Sequence, residues 1–160
     1  MNSELKPNRQ LDHYDHKIMK VLAQDGRISV TELAERVGLS KTPCQVRLKR
    51  LQKDNYIKSF RAELNASLLG LEHIAFTEVK LHDTSEASLE IFNEAVRQIS
   101  EVEECHMIAG RFDYLLKVRT KDIQAYRRVL GEQISTLPKV QNTSTYVCMQ
   151  AVKESSDLLG

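Results

Sequence analysis

Cysteine is scarce in this chain and poorly placed for pairing. The 160 residues hold three, Cys44, Cys105 and Cys148, far apart and odd in number. That spacing excludes a disulfide framework, a close-set zinc site and a redox motif, and fits reduced thiols used as small apolar residues. Six glycines and three prolines leave an ordinary globular composition, 41% hydrophobic and 28% charged. No segment approaches the roughly 20 apolar residues that span a bilayer. Met1–Leu11 is polar, unlike a signal peptide, so a soluble cytoplasmic protein is expected, with no membrane partner. Paired carboxylates, a P-loop, a metal motif and a nucleophile elbow are also missing, which makes an enzyme the poorest expectation.

What is present is an uneven charge. Residues 1–65 carry 13 Lys and Arg against 8 Asp and Glu, a net of +5; residues 66–160 carry 10 against 14, a net of −4. A basic module joined to an acidic one suggests that the first binds nucleic acid. Asp12 caps an opening helix with Ile18, Val21 and Leu22 on one stripe, stopped by Gly26. The pair Asp12 and Asp15 with His13 and His16 reads as a solvated first turn rather than a metal cluster. Ser29 and Glu32 form the S-x-x-E box of a second helix, and Gly38 suits its left-handed end. Ser40 can cap a third helix, where Cys44, Leu48 and Leu51 make a buried stripe.

Between 41 and 53 that third helix has five basic residues and no acidic one. A buried stripe backing a basic face is what a recognition helix in the DNA major groove requires. Gln45 can pair with adenine, and Arg50 or Lys49 can reach guanine. Ser40, Lys41, Thr42 and Lys53 suit phosphates, Arg47 lies nearer the buried side on the DNA backbone, and Val46 also points away from the stripe. The segments IKSF and AEL follow as a possible hairpin wing. A winged helix-turn-helix over 1–64 and a connection over 65–72 are therefore expected.

From 73 to 160 the pattern alternates. Strands are expected at His73–Leu81, Val102–Ala109, Phe112–Arg119 and Val140–Val152. One helix carries Leu89, Phe92, Val96 and Ile99, and another carries Ile123, Tyr126, Leu130, Ile134 and Leu137. The order βαββαβ gives an α+β fold, an antiparallel ferredoxin-like sheet with both helices on one face. Alternation in the last strand leaves neither side strongly polar, so a second apolar face and self-association through it are expected. Gly110-Arg111 suits a type II′ hairpin turn. By residue chemistry alone, Gly110 serves that turn and Asp113 is solvated.

Two other functions are weaker. RNA-recognition modules share the βαββαβ order, and Phe112 and Tyr114 alternate, but Asp113 lies between them and this half is acidic. Cys105-His106 pairs a thiol with an imidazole, yet strand alternation sends them to opposite faces.

The segments LD-x-x-D at 11–15, DGR-I at 25–28, ELAERVGLS at 32–40, TPC at 42–44 and RLKRL at 47–51 are joined in the second half by ECH at 104–106 and G-x-FDYLLK at 110–117. YR-x-x-LGE at 126–132 and LP-x-V…T-x-TYV-x-M at 137–149 complete the series. In this order they resemble the leucine-responsive regulatory protein and AsnC family of transcriptional regulators, over nearly the whole chain. Within it the chain is most similar to regulators of amino-acid catabolism, including activators of proline dehydrogenase. The resemblance implies sequence-specific binding of double-stranded DNA and a RAM/ACT-like second domain. It also implies a homodimer, with tetramers or octamers built from it, and a small amino-acid effector, proline or leucine first, rather than a cofactor. It turns Gly110 and Asp113 into ligand contacts and adds Met107, Ile123, Tyr146, Val147 and Cys148 as neighbours. Two departures stand out: Lys41 replaces a small residue or proline, and Arg111 replaces an often acidic one beside the inferred effector site, where it can hold the ligand or block it.

Overall fold

Three helices open the fold, α1 (His13–Gln24), α2 (Val30–Val37) and α3 (Lys41–Lys53). The structure, a computed structural model, describes residues 10–154. The polar start of the chain, expected to be mobile, lies outside them except for Gln10. Asp12 caps α1 by accepting from the amides of Tyr14 and Asp15, while Asp15 accepts from the Asp12 amide. Ser29 accepts from the Glu32 amide, but Glu32 turns to Arg36 at 2.8 Å rather than back to the cap. Gly38 ends α2 at φ 79°, a left-handed conformation that costs glycine little. Ser40 precedes α3 without a side-chain cap bond. Ile18, Leu33, Val37, Cys44 and Leu51 make the core of this unit, with Leu48 packed at its edge.

No strand forms between α3 and residue 73, so IKSF and AEL do not pair as a β-hairpin. IKSF and AEL are separated by Arg61 alone, one residue fewer than the shortest common hairpin loop. An unsupported two-stranded hairpin is also marginal in water. Segment 65–72 is not a plain tether. Asn65 accepts from the Leu68 amide at 3.0 Å, and Gly70 closes the turn at φ 68°.

The second unit has strands β1 (His73–Leu81), β2 (Val102–Met107), β3 (Tyr114–Thr120) and β4 (Val140–Val147). Helix α4 (Glu86–Val96) follows β1, and helix α5 (Ile123–Val129), extended by a π-turn at Leu130–Ile134, follows β3. The order across the sheet is β2-β3-β1-β4, all antiparallel. Ala75, Val79, Leu116 and Val118 meet Phe92, Val96, Tyr126 and Ile134 in the core. Contacts divide the described chain into residues up to Glu63 with Lys153 and Glu154, and Leu64–Val152.

The opposite sheet face departs from expectation. Glu78 and Lys80 on β1, Lys117 and Arg119 on β3, and Glu103 and Glu104 on β2 carry ion pairs across it. Reading β4 alone missed them, because the charges sit on the other three strands. The face is mixed rather than apolar throughout: Ile74, Phe76, Leu115 and Tyr146 share it with these charges.

Candidate functional site

Asp15 organises the basic helix. Its side chain is 1% exposed and receives Arg47 at 2.9 Å and Arg50 at 2.5 Å. Arg47 also reaches Asp12 at 2.7 Å and lies over the Tyr14 ring. Burial alone would raise the Asp15 pKa, but hydrogen bonds from Arg50, the Asp12 amide and Arg47 outweigh it and hold the carboxyl below its usual range. The solvated first turn is thereby corrected: two guanidinium groups draw Asp15 inward. The same bonds hold the guanidinium groups of Arg47 and Arg50 against the head of α1. Lys41, Thr42, Gln45, Val46, Lys49 and Lys53 remain exposed along α3, with Ser40 at its start.

A depressed acid stabilises the fold above its unfolded pKa, and that contribution is lost as pH falls through the folded value. Stability of the N-terminal unit is therefore expected to be flat in this term above pH 5. It should decline once pH drops below the ordinary aspartate value of 3.8 and through the lower folded one. Urea unfolding at stepped pH checks this, with Asp15→Asn expected to flatten the acid limb.

The second cluster surrounds residues 108–113. This loop is six residues long, closed by the Ile108 amide on the Asp113 carbonyl at 2.8 Å. Gly110 lacks the positive φ that a type II′ turn needs at its first position, so the two-residue turn is corrected. Asp113 is not solvated. It accepts from the Leu81 amide at 2.8 Å and from Lys80 at 3.1 Å, where the β1–β4 register shifts between Lys80 and Leu81. Its carboxylate serves an irregularity in the sheet, a role that an isolated loop sequence conceals. Arg111 neither pairs with Asp113 nor stands free. It donates to Glu78 at 2.8 Å and to the Tyr146 hydroxyl at 3.0 Å.

Glu78, Lys80, Arg111, Phe112, Asn142, Ser144 and Tyr146 line an open cavity of about 340 Å³ on the outer sheet face. The other expected ligand neighbours do not converge within one chain. Met107 ends edge strand β2 opposite Tyr114, which pairs with Val79, whereas Val147 on edge strand β4 pairs with Ala75. Four residues along and three strands across place them on the order of 20 Å apart. Met107, Ile123 and Val147 are all exposed, and the Cys148 amide bonds to the Ile74 carbonyl. Cys105 packs towards the core, burial pushing its thiol up to about 11, while His106 turns the other way to Glu104.

Sequence comparison accounts for both units. The winged helix-turn-helix DNA-binding family matches residues 11–58, and the Lrp/AsnC ligand binding domain matches residues 74–158. The chain belongs to the Lrp/AsnC family. It is an α+β DNA-binding regulator with a ligand-binding domain, as the motif order implies.

A proline dehydrogenase transcriptional activator from Rhizobium radiobacter is 68% identical over 145 residues, spanning 91% of this chain and 93% of that one. The leucine-responsive regulatory protein of Escherichia coli K12 is 43% identical over 159 residues, 99% and 97% of the two chains. Among solved structures, a transcriptional regulator of Neisseria meningitidis in complex with L-methionine aligns at TM-score 0.87 with 31% identity, covering 93% of this chain and 96% of that one. An AsnC family regulator from Agrobacterium tumefaciens aligns at 0.88 with 30% identity, covering 92% and 96%.

Proposed function

We propose that this Lrp/AsnC regulator is a cytoplasmic activator of proline catabolism genes with L-proline as its effector. The observation that carries the reading is the 68% identity to a proline dehydrogenase activator, which extends through both units. Leucine is the second candidate, from the 43% identity to a leucine-responsive regulator over nearly the full chain. Ser40, Lys41, Thr42 and Lys53 contact phosphates, while Gln45, Val46 and Lys49 face the base edges. The domains run over 1–64 and 73–160, joined by 65–72.

The chain acts as a homodimer, assembled further into tetramers or octamers. A two-fold dimer presents two recognition helices to half-sites about 10 bp, or a multiple, apart. The exposed Tyr146, Val147, Met149 and Val152 at the β4 edge and beyond offer apolar surface for assembly. The distance between Met107 and Val147 favours an effector site completed by a second copy. Gly110, Arg111, Ile123 and Cys148 contribute from one copy or the other, and Asp113 acts by shaping the loop.

Thermal unfolding of the full-length protein with each common amino acid tests the sensory half, since a ligand of the folded state raises apparent stability. L-proline at 100 times its Kd should add about 2.7 kcal/mol. If no amino acid at millimolar concentration shifts the transition, the effector reading fails.

A further inference from the structure

The outer face of α3 is apolar at one point where its neighbours are polar or charged. Val46 is 63% exposed, between exposed Gln45 and Lys49. A β-branched residue gives the helix no propensity advantage there, and its own domain does not bury it. The two arginines that follow it on α3 are committed elsewhere. Arg47 holds Asp12 and Asp15, and Arg50 holds Asp15. The groups left to meet base edges are Gln45, Val46 and Lys49.

Resting on the DNA-binding reading above, we propose that Val46 is a specificity-determining residue that packs on the C5-methyl of a thymine in the major groove. With Gln45 beside it, each half-site is read through A·T pairs. The chemistry is complementary. Thymine alone among the bases presents a methyl group in that groove, and a glutamine amide matches the N6 and N7 pair of adenine. Consecutive residues on a helix are only 1.5 Å apart along its axis, so the two side chains reach the same or adjacent base pairs. Asp15 and Asp12 act as positioning residues, since they withdraw the side chains best suited to guanine.

The test uses full-length protein and duplexes enriched from a random-sequence library. Thymines in the enriched site are replaced one at a time by deoxyuridine, which removes only the methyl. At one thymine per half-site, wild-type affinity should fall about fourfold, the value of one buried methyl group at roughly 0.8 kcal/mol. Val46→Ala should bind the thymine and deoxyuridine duplexes alike, with the affinity that wild type shows when that thymine is replaced in both half-sites. The wild-type arm does not depend on the variant folding. Indifference of wild type to deoxyuridine at every position overturns the inference, as does a Val46→Ala protein that keeps the wild-type sensitivity. In either case an enriched sequence leaves the DNA-binding reading standing. Failure to enrich any sequence overturns both.

Discussion

Asp15→Ala should destabilise the N-terminal unit by about 2–3 kcal/mol. Removing one member of a buried ion pair typically costs 3–5 kcal/mol, because the partner charge is left without compensation. Here the side chains of Arg47 and Arg50 are 27% and 24% exposed, so water recovers part of the loss. Urea unfolding measures the difference, and a double-mutant cycle with Arg47→Met separates the pair from the cavity. A second consequence follows in DNA binding. The released guanidinium groups can reach phosphates, so log affinity should fall more steeply with log salt, by a slope of roughly one to two per bound protomer. Unchanged stability and an unchanged slope would together reduce the Asp15 pairs to an exposed contact of no consequence.

Asp113→Ala should lower the stability of the ligand-free protein by about 1–3 kcal/mol. The Leu81 amide loses its acceptor at a point where the β1–β4 ladder is out of register, and a buried unsatisfied donor costs that much. Lys80 loses its partner as well. Thermal unfolding without effector reads the effect. A variant with wild-type stability but no response to amino acids would instead make Asp113 a direct contact to the ligand ammonium.

The two residues show where sequence reasoning was sufficient and where it stopped. Helical and strand periodicity located every helix and strand of the described chain, and β1 at its observed ends. Its boundaries drifted where the chain leaves the sheet: β4 stops at Val147, and β2 and β3 lose residues to the 108–113 loop. The face of α3 was legible because burial of Cys44 and Leu51 fixes which side turns outward. The destination of its arginines was not, since Asp15 lies 32 residues from Arg47 and a first-turn acid already had a local explanation as a cap partner. Two acids at the head of α1 facing an all-basic helix were the available signal. Glu78 and Lys80 were missed for a similar reason. They alternate with buried Val79 and Leu81, which marks an outer strand face without revealing that Arg111 and Asp113 return to it.

The measurement that bears most directly on an amino-acid-responsive DNA-binding regulator is the Kd of the full-length protein for its enriched duplex, with and without L-proline. Coupling requires different effector affinities in the free and DNA-bound states, and it is reciprocal. Proline should change the DNA Kd by a factor of roughly 5–150, and the duplex should change proline affinity by the same factor. A DNA Kd that stays constant across saturating proline and leucine would contradict the account.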